Sequence, residues 1–195
     1  MDRRQYLGVV ASVGVVGTAG CGAVAGRQTL TDPTVHADSP QRRSIEWVSN
    51  GEAVGELGVS GTVSSGVLDL ATELSHREGT TVQSIRLRVW MPQTATDSAS
   101  EVAVVSPVEG DSSPPPSLSL YTPQRALGTV IEVTDLDDLA DETISTLDLL
   151  VRPGSETARK LTIDSTIELA DSDVFNSGYT LDGELELTFP ERGTQ

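Results

Sequence analysis

The chain has one cysteine, one lysine, two histidines and seven aromatic residues (two Trp, three Tyr, two Phe) among 195 positions. Each shortage excludes something. A lone cysteine forms no intramolecular disulfide. His36 and His76 cannot supply a histidine-rich zinc site, which needs three or four close ligands, and no H-x-x-x-H or C-x-x-C spacing exists. So few aromatics leave the core to Val, Leu and Ile. Basic residues are scarce as well: 13 Lys and Arg against 29 Asp and Glu, a net charge of −16. That balance excludes nucleic acid, whose phosphates require a basic footprint, and it opposes electrostatic docking on anionic lipid.

What is present begins at the N-terminus. Arg3 and Arg4 are followed by Tyr6 and Leu7, then by a soft apolar run from Gly8 to Gly20 with four glycines and no Leu, Ile or Phe. The run ends Thr18-Ala19-Gly20-Cys21, small residues before a cysteine, as a processing site requires. Weak hydrophobicity behind an arginine pair suits a receptor-read export address rather than an anchor. The segment resembles the signal of twin-arginine-exported lipoproteins, with Thr18 in place of the commoner lipobox leucine. The resemblance implies cleavage before Cys21 and a lipid on that thiol, so the membrane is a partner through Cys21. The competing reading is an uncleaved helix, because Gly8–Ala25 is uncharged over 18 residues, the lower limit of a span. Either way Arg3 and Arg4 keep the N-terminus inside and the rest faces the exterior at the cell membrane.

The acids are spread along the whole chain, with Lys160 as the sole lysine. At molar salt the Debye length is roughly 3 Å, so neighbouring carboxylates barely repel and their hydration keeps the chain soluble. In this respect the composition resembles proteins of halophilic archaea.

Beyond residue 43 the hydrophobic period is two. Ile85, Leu87, Val89 and Met91 alternate with Arg86, Arg88 and Trp90; Leu161, Ile163, Ile167 and Leu169 alternate with Thr162, Asp164, Thr166 and Glu168; Leu181, Leu185, Leu187 and Phe189 alternate with Asp182, Glu184, Glu186 and Thr188. Shorter strands are expected at 45–48, 54–63, 102–105, 118–121, 128–133 and 143–151. Asn50-Gly51, Ser65-Gly66, Glu78-Gly79, Pro153-Gly154 and Ser177-Gly178 mark turns. The proline-rich stretch 106–117 reads as a loop, and 135–142 is the one weakly helical segment. Eight to ten strands predict an all-β, antiparallel two-sheet sandwich, immunoglobulin-like, with a barrel as the alternative. The expected organisation is a signal over 1–20, lipidated Cys21 and a tether over 21–43 (or an edge strand at 29–35), the sandwich over 44–190 and a tail over 191–195.

The search for chemistry yields little. No G-x-S-x-G occurs; Gly58-Val59-Ser60-Gly61 has the wrong spacing. His76 reads as an exposed hairpin residue. Asp135, Asp137, Asp138 and Asp141 form the densest acidic run and are the candidate calcium ligands, but Leu139 and Ala140 break the EF-hand pattern. No other cofactor is expected. Arg86, Arg88 and Trp90 on one strand face are the candidate contacts for an anion or a sugar. The expectation is a non-catalytic, lipid-anchored binding or structural module of the envelope, with an envelope protein or a glycan as partner. The alternative is an envelope hydrolase, carbohydrate-active or metal-assisted.

Overall fold

In the computed structural model, residues 26–92, 99–106, 117–136, 143–171 and 177–190 are described. They form twelve strands: β1 (Arg27–Leu30), β2 (Thr34–Ser39), β3 (Arg42–Ser49), β4 (Glu52–Ser64), β5 (Val67–His76), β6 (Thr80–Trp90), β7 (Glu101–Ser106), β8 (Ser117–Tyr121), β9 (Thr129–Thr134), β10 (Thr143–Arg152), β11 (Lys160–Asp171) and β12 (Gly178–Thr188). Sheet one has the order β1-β12-β11-β6-β9-β8 and sheet two the order β2-β3-β4-β5-β10-β7. Every pairing is antiparallel except β1 with β12. Four open edges exclude a barrel. The architecture is the immunoglobulin-like two-sheet sandwich that the alternation predicts, larger than the usual seven to nine strands.

The period-two pattern explains the layering. In β6, Ile85, Leu87 and Val89 are buried while Arg86 is exposed. In β11 and β12, Ile163, Ile167, Leu181, Leu185 and Leu187 turn the same way. Sheet two contributes Ile45, Leu57, Val59, Leu70, Leu74 and Leu149 to the same core cluster. Each such side chain contributes roughly 1.5–3 kcal/mol on burial. Trp47 is fully buried and its Nε1 donates to the Asp182 carbonyl at 2.8 Å, a hydrogen bond from sheet two to sheet one. The β3–β4 and β4–β5 hairpins turn on Asn50-Gly51 (φ 54° and 85°) and Ser65-Gly66 (φ 50° and 78°). Two consecutive positive φ values match the right-handed twist of the flanking strands.

The sequence reading needs two corrections here. The sandwich starts at Arg27, not residue 44: β1 and β2 lie within the expected tether, and β3 begins at Arg42. Nor is 29–35 one strand. β1 ends at Leu30 in sheet one, Pro33 interrupts, and β2 begins at Thr34 in sheet two. Proline has no N–H to give a ladder, so the chain changes sheet there.

Candidate functional site

Arg86, Arg88 and Trp90 lie on the outer face of sheet one, carried there by the alternation of β6. Cross-strand neighbours neutralise both arginines. Arg86 Nε stands 3.1 Å from Glu132 Oε1 on β9, and the Tyr121 hydroxyl donates to the same oxygen at 3.0 Å. Arg88 donates to Asp164 Oδ2 on β11 from Nε at 2.8 Å and also from Nη2. Its guanidinium lies 4.4 Å from the centre of the Trp90 ring. The pairing continues outward, with Lys160 Nζ to Glu186 at 2.9 Å and Arg27 to Glu168 at 2.7 Å. The anion site expected on this strand is therefore already filled by the protein's own carboxylates, and Arg88 covers the Trp90 ring. Glu184, opposite Asp164 in the register, has its pKa raised from the ordinary 4.5. Partial desolvation is the largest cause. The Asp164 charge and a hydrogen bond to Asp164 come next, then Glu186, with Arg88 opposing.

His76 is buried, at 7% exposure, rather than exposed as the sequence suggested. The turn over Arg77–Gly79 folds Thr80 back onto the ring. The Thr80 hydroxyl donates to the Arg77 carbonyl at 2.6 Å, so His76 Nδ1, 3.0 Å away, is the donor to that oxygen. Nε2 is buried without a partner. This is a structural histidine closing a hairpin. His36 stands on β2 with Nε2 3.5 Å from Glu46. Gly58-Val59-Ser60-Gly61 is interior to β4.

Asp135 is exposed with φ 62°, and its side chain accepts from Thr134 Oγ1 at 3.4 Å. Asp137, Asp138 and Asp141 lie outside the described residues. So do Arg3, Arg4, Tyr6, Leu7, Cys21, the alternative span 8–25, and all of the proline-rich stretch but its ends. Among the described residues, no group of three or more His, Cys, Asp or Glu could hold a metal ion.

The site that sequence reading missed is the outer face of sheet two. Small side chains dominate its middle: Ser44 of β3 pairs with Gly58 of β4, and Ser60 with Ala71 of β5. Together they line a shallow depression of about 240 Å³, shared with Glu56, Glu73, Asp148, Asp38 and Arg42. The register sets Glu46 directly opposite Glu56; Glu73 and Asp148 follow diagonally on β5 and β10. Like charges placed this way across strands are mutually destabilising. Arg42 is engaged with Asp38 at 3.5 Å. Glu56, Glu73, Asp69 and Asp148 have no basic partner within ion-pair distance among the described residues. Arg43, which shares the inward parity of β3 with Ile45 and Trp47, has its Nε buried without an acceptor on the other side of the sheet. The middle strands of sheet two thus carry uncompensated acid over a floor of small residues.

The chain belongs to the family described as "Domain of unknown function (DUF8121)", whose model matches residues 27–191, the span from the first strand to just past the last. No curated protein matches it. Among solved structures it is similar to a cohesin module from a Clostridium perfringens ATCC13124 family 33 glycoside hydrolase, at TM-score 0.41 and 13% identity over 67% of this chain and 94% of that one. It is also similar to the collagen-binding domain of a Staphylococcus aureus adhesin, at 0.38 and 10% over 67% and 95%. A third likeness is to the N-terminal periplasmic domain of ScsB from Proteus mirabilis, at 0.36 and 13% over 74% and 50%. Likeness at this level carries no functional inference.

Proposed function

We propose that this protein is a lipid-anchored binding module on the outside of the cell membrane, which presents the outer face of sheet two to an extended, basic segment of an envelope protein. The observation behind this reading is the uncompensated row Glu56, Glu73 and Asp148 beside the depression of about 240 Å³. A basic side chain over those carboxylates would relieve their mutual repulsion. Small residues at Ser44, Gly58, Ser60 and Ala71 let a chain lie close to the sheet. The anchor is Cys21 under the lipobox resemblance. Only residues 22–26 separate it from β1, a reach of about 20 Å when fully extended, so the sandwich would sit next to the bilayer.

The test is binding of a synthetic lysine-rich peptide at about 1 M salt, where the general field of the acidic chain is screened to roughly 3 Å. Neutralising Glu56, Glu73 and Asp148 together to Gln, Gln and Asn is expected to weaken binding at least tenfold. Neutralising Asp182 and Glu184 on sheet one is expected to leave it unchanged. Equal losses in both would reduce the effect to net charge and refute the reading. For placement, Cys21→Ser is expected to release the protein from membranes, and Lys-Lys in place of Arg3-Arg4 to block export.

A further inference from the structure

The sandwich has four edge strands, β1 and β8 on sheet one and β2 and β7 on sheet two. Three of them carry charge. Arg27 of β1 pairs with Glu168, β2 contains His36 and Asp38, and Glu101 of β7 stands 3.6 Å from Arg152. The pairings of β2 and β7 are also broken by register shifts. Charges and bulges of this kind are how edges avoid pairing with foreign strands. β8 has neither. It reads Ser117-Leu118-Ser119-Leu120-Tyr121, pairs with β9 without interruption, and is exposed throughout. Leu118 and Leu120 stand opposite Val133 and Ile131, which are buried to 1% and 0%, yet they are themselves 43% and 46% exposed. The core's apolar row continues past β9 onto an edge that no other described strand pairs with.

We infer that β8 is a self-association edge, which a second copy of this chain extends antiparallel into a continuous sheet. The sequence of β8 is complementary to itself about Ser119. Leu118 meets the partner copy's Leu120 on the core side, and Ser119 meets its counterpart on the outer side, with Tyr121 over Ser117. Charge favours the same occupant. The carboxylate in the row next to the edge is Glu132 on β9, already engaged by Arg86 and Tyr121. Two β9 strands in the paired sheet lie three strand spacings apart, about 14 Å, beyond the Debye length of about 10 Å at 0.1 M salt. Among the described residues, the strongly acidic chain can therefore meet its own copy along β8 without carboxylates set directly opposite one another. A closed two-fold contact also stops at the dimer and builds no fibre.

Because Cys21 is the sole cysteine, the full chain with Cys21→Ser accepts one reporter thiol. Ser119→Cys faces its own counterpart across the proposed axis at roughly 4.5–5.5 Å between Cα atoms, within disulfide reach. Under oxidant at high salt it is expected to form a linked dimer at least tenfold faster than Thr34→Cys, an exposed position on the β2 edge. Adding Leu120→Lys, which puts a charge on the edge, is expected to return the rate to that of the control. Cross-linking no faster at Ser119 than at Thr34, or unchanged by Leu120→Lys, overturns the proposal. A strictly monomeric chain at every concentration in sedimentation also overturns it, and would leave the edge to a strand from another protein.

Discussion

Gly183 on β12 and Trp47 on β3 form a coupled pair across the sandwich, and their double-mutant cycle tests how the sheets are held together. A Cβ at Gly183 would stand 2.8 Å from Trp47 Cζ2, 2.7 Å from Ile45 Cδ1 and 3.1 Å from Pro33 Cγ. Ile45 can rotate its terminal methyl away, but the indole is fully buried and held by its bond to Asp182. An unhindered Gly→Ala change inside a strand stabilises by roughly 0.5–1 kcal/mol through the unfolded state. Overpacking a filled core costs about 1–3 kcal/mol. Gly183→Ala is therefore expected to lose about 1–2 kcal/mol. Trp47→Phe removes the atom that Gly183 makes room for. It also leaves the Asp182 carbonyl without its donor, so about 2–4 kcal/mol is expected. With phenylalanine at 47, Gly183→Ala should change sign and become neutral or stabilising. The coupling would then be about 1–3 kcal/mol, well beyond the additivity error of about 0.5 kcal/mol. Urea titration of the four proteins at one fixed salt concentration measures it. If the double variant loses the sum of the singles, the glycine does not exist to admit the indole and the packing argument fails.

Glu184→Gln is expected to raise Tm at neutral pH, on the order of 1 °C. The sign follows from linkage. A raised folded-state pKa gives stability that is full below the ordinary 4.5 and lost as pH rises through the raised value. At neutral pH the ionised group is a liability that Gln removes, and below 4.5 the two proteins should converge; a variant no more stable at pH 7 contradicts the Asp164–Glu184 crowding. Dilution from about 1 M to about 0.1 M salt lengthens screening from roughly 3 to 10 Å and is expected to lower Tm. Glu73→Gln should recover part of that loss in dilute buffer only; a Tm indifferent to salt would count against the accumulated repulsion on sheet two.

The legible parts of the fold were those where one face is buried and the other wet. β11, β12 and β6 from Ile85 onward alternate so strictly that their inward residues are readable one by one, and Asn50-Gly51 and Ser65-Gly66 declare the hairpins. β1 and β2 were not legible because edge strands bury little: β2 is exposed over five of its six residues and so has no apolar period to detect. The parallel pairing of β1 with β12 joins residues about 150 positions apart, which no local pattern encodes. His76 was misread although it continues the inward row Leu68, Leu70, Thr72 and Leu74 of β5; the exposed-looking His-Arg-Glu-Gly string at the strand's end conceals that period.

The contrast between the two outer faces was hidden for a different reason. Along one strand, Arg88 of β6 and Glu73 of β5 look alike: a charged residue between two buried ones. Register alone decides their electrostatics. Arg88 is set beside Asp164, whereas Glu73 is set beside Gly58 and near Glu56 and Asp148. A chain with 29 acids and 13 bases cannot pair them all; four of the described ion pairs lie on sheet one, and three lie at the β2–β3 and β7–β10 margins of sheet two. Within sheet two the middle strands keep Glu56 and Glu73 without a described ion pair. Under the proposed function, Glu56, Glu73 and Asp148 beside the small-residue floor are where a cationic chain would approach closely.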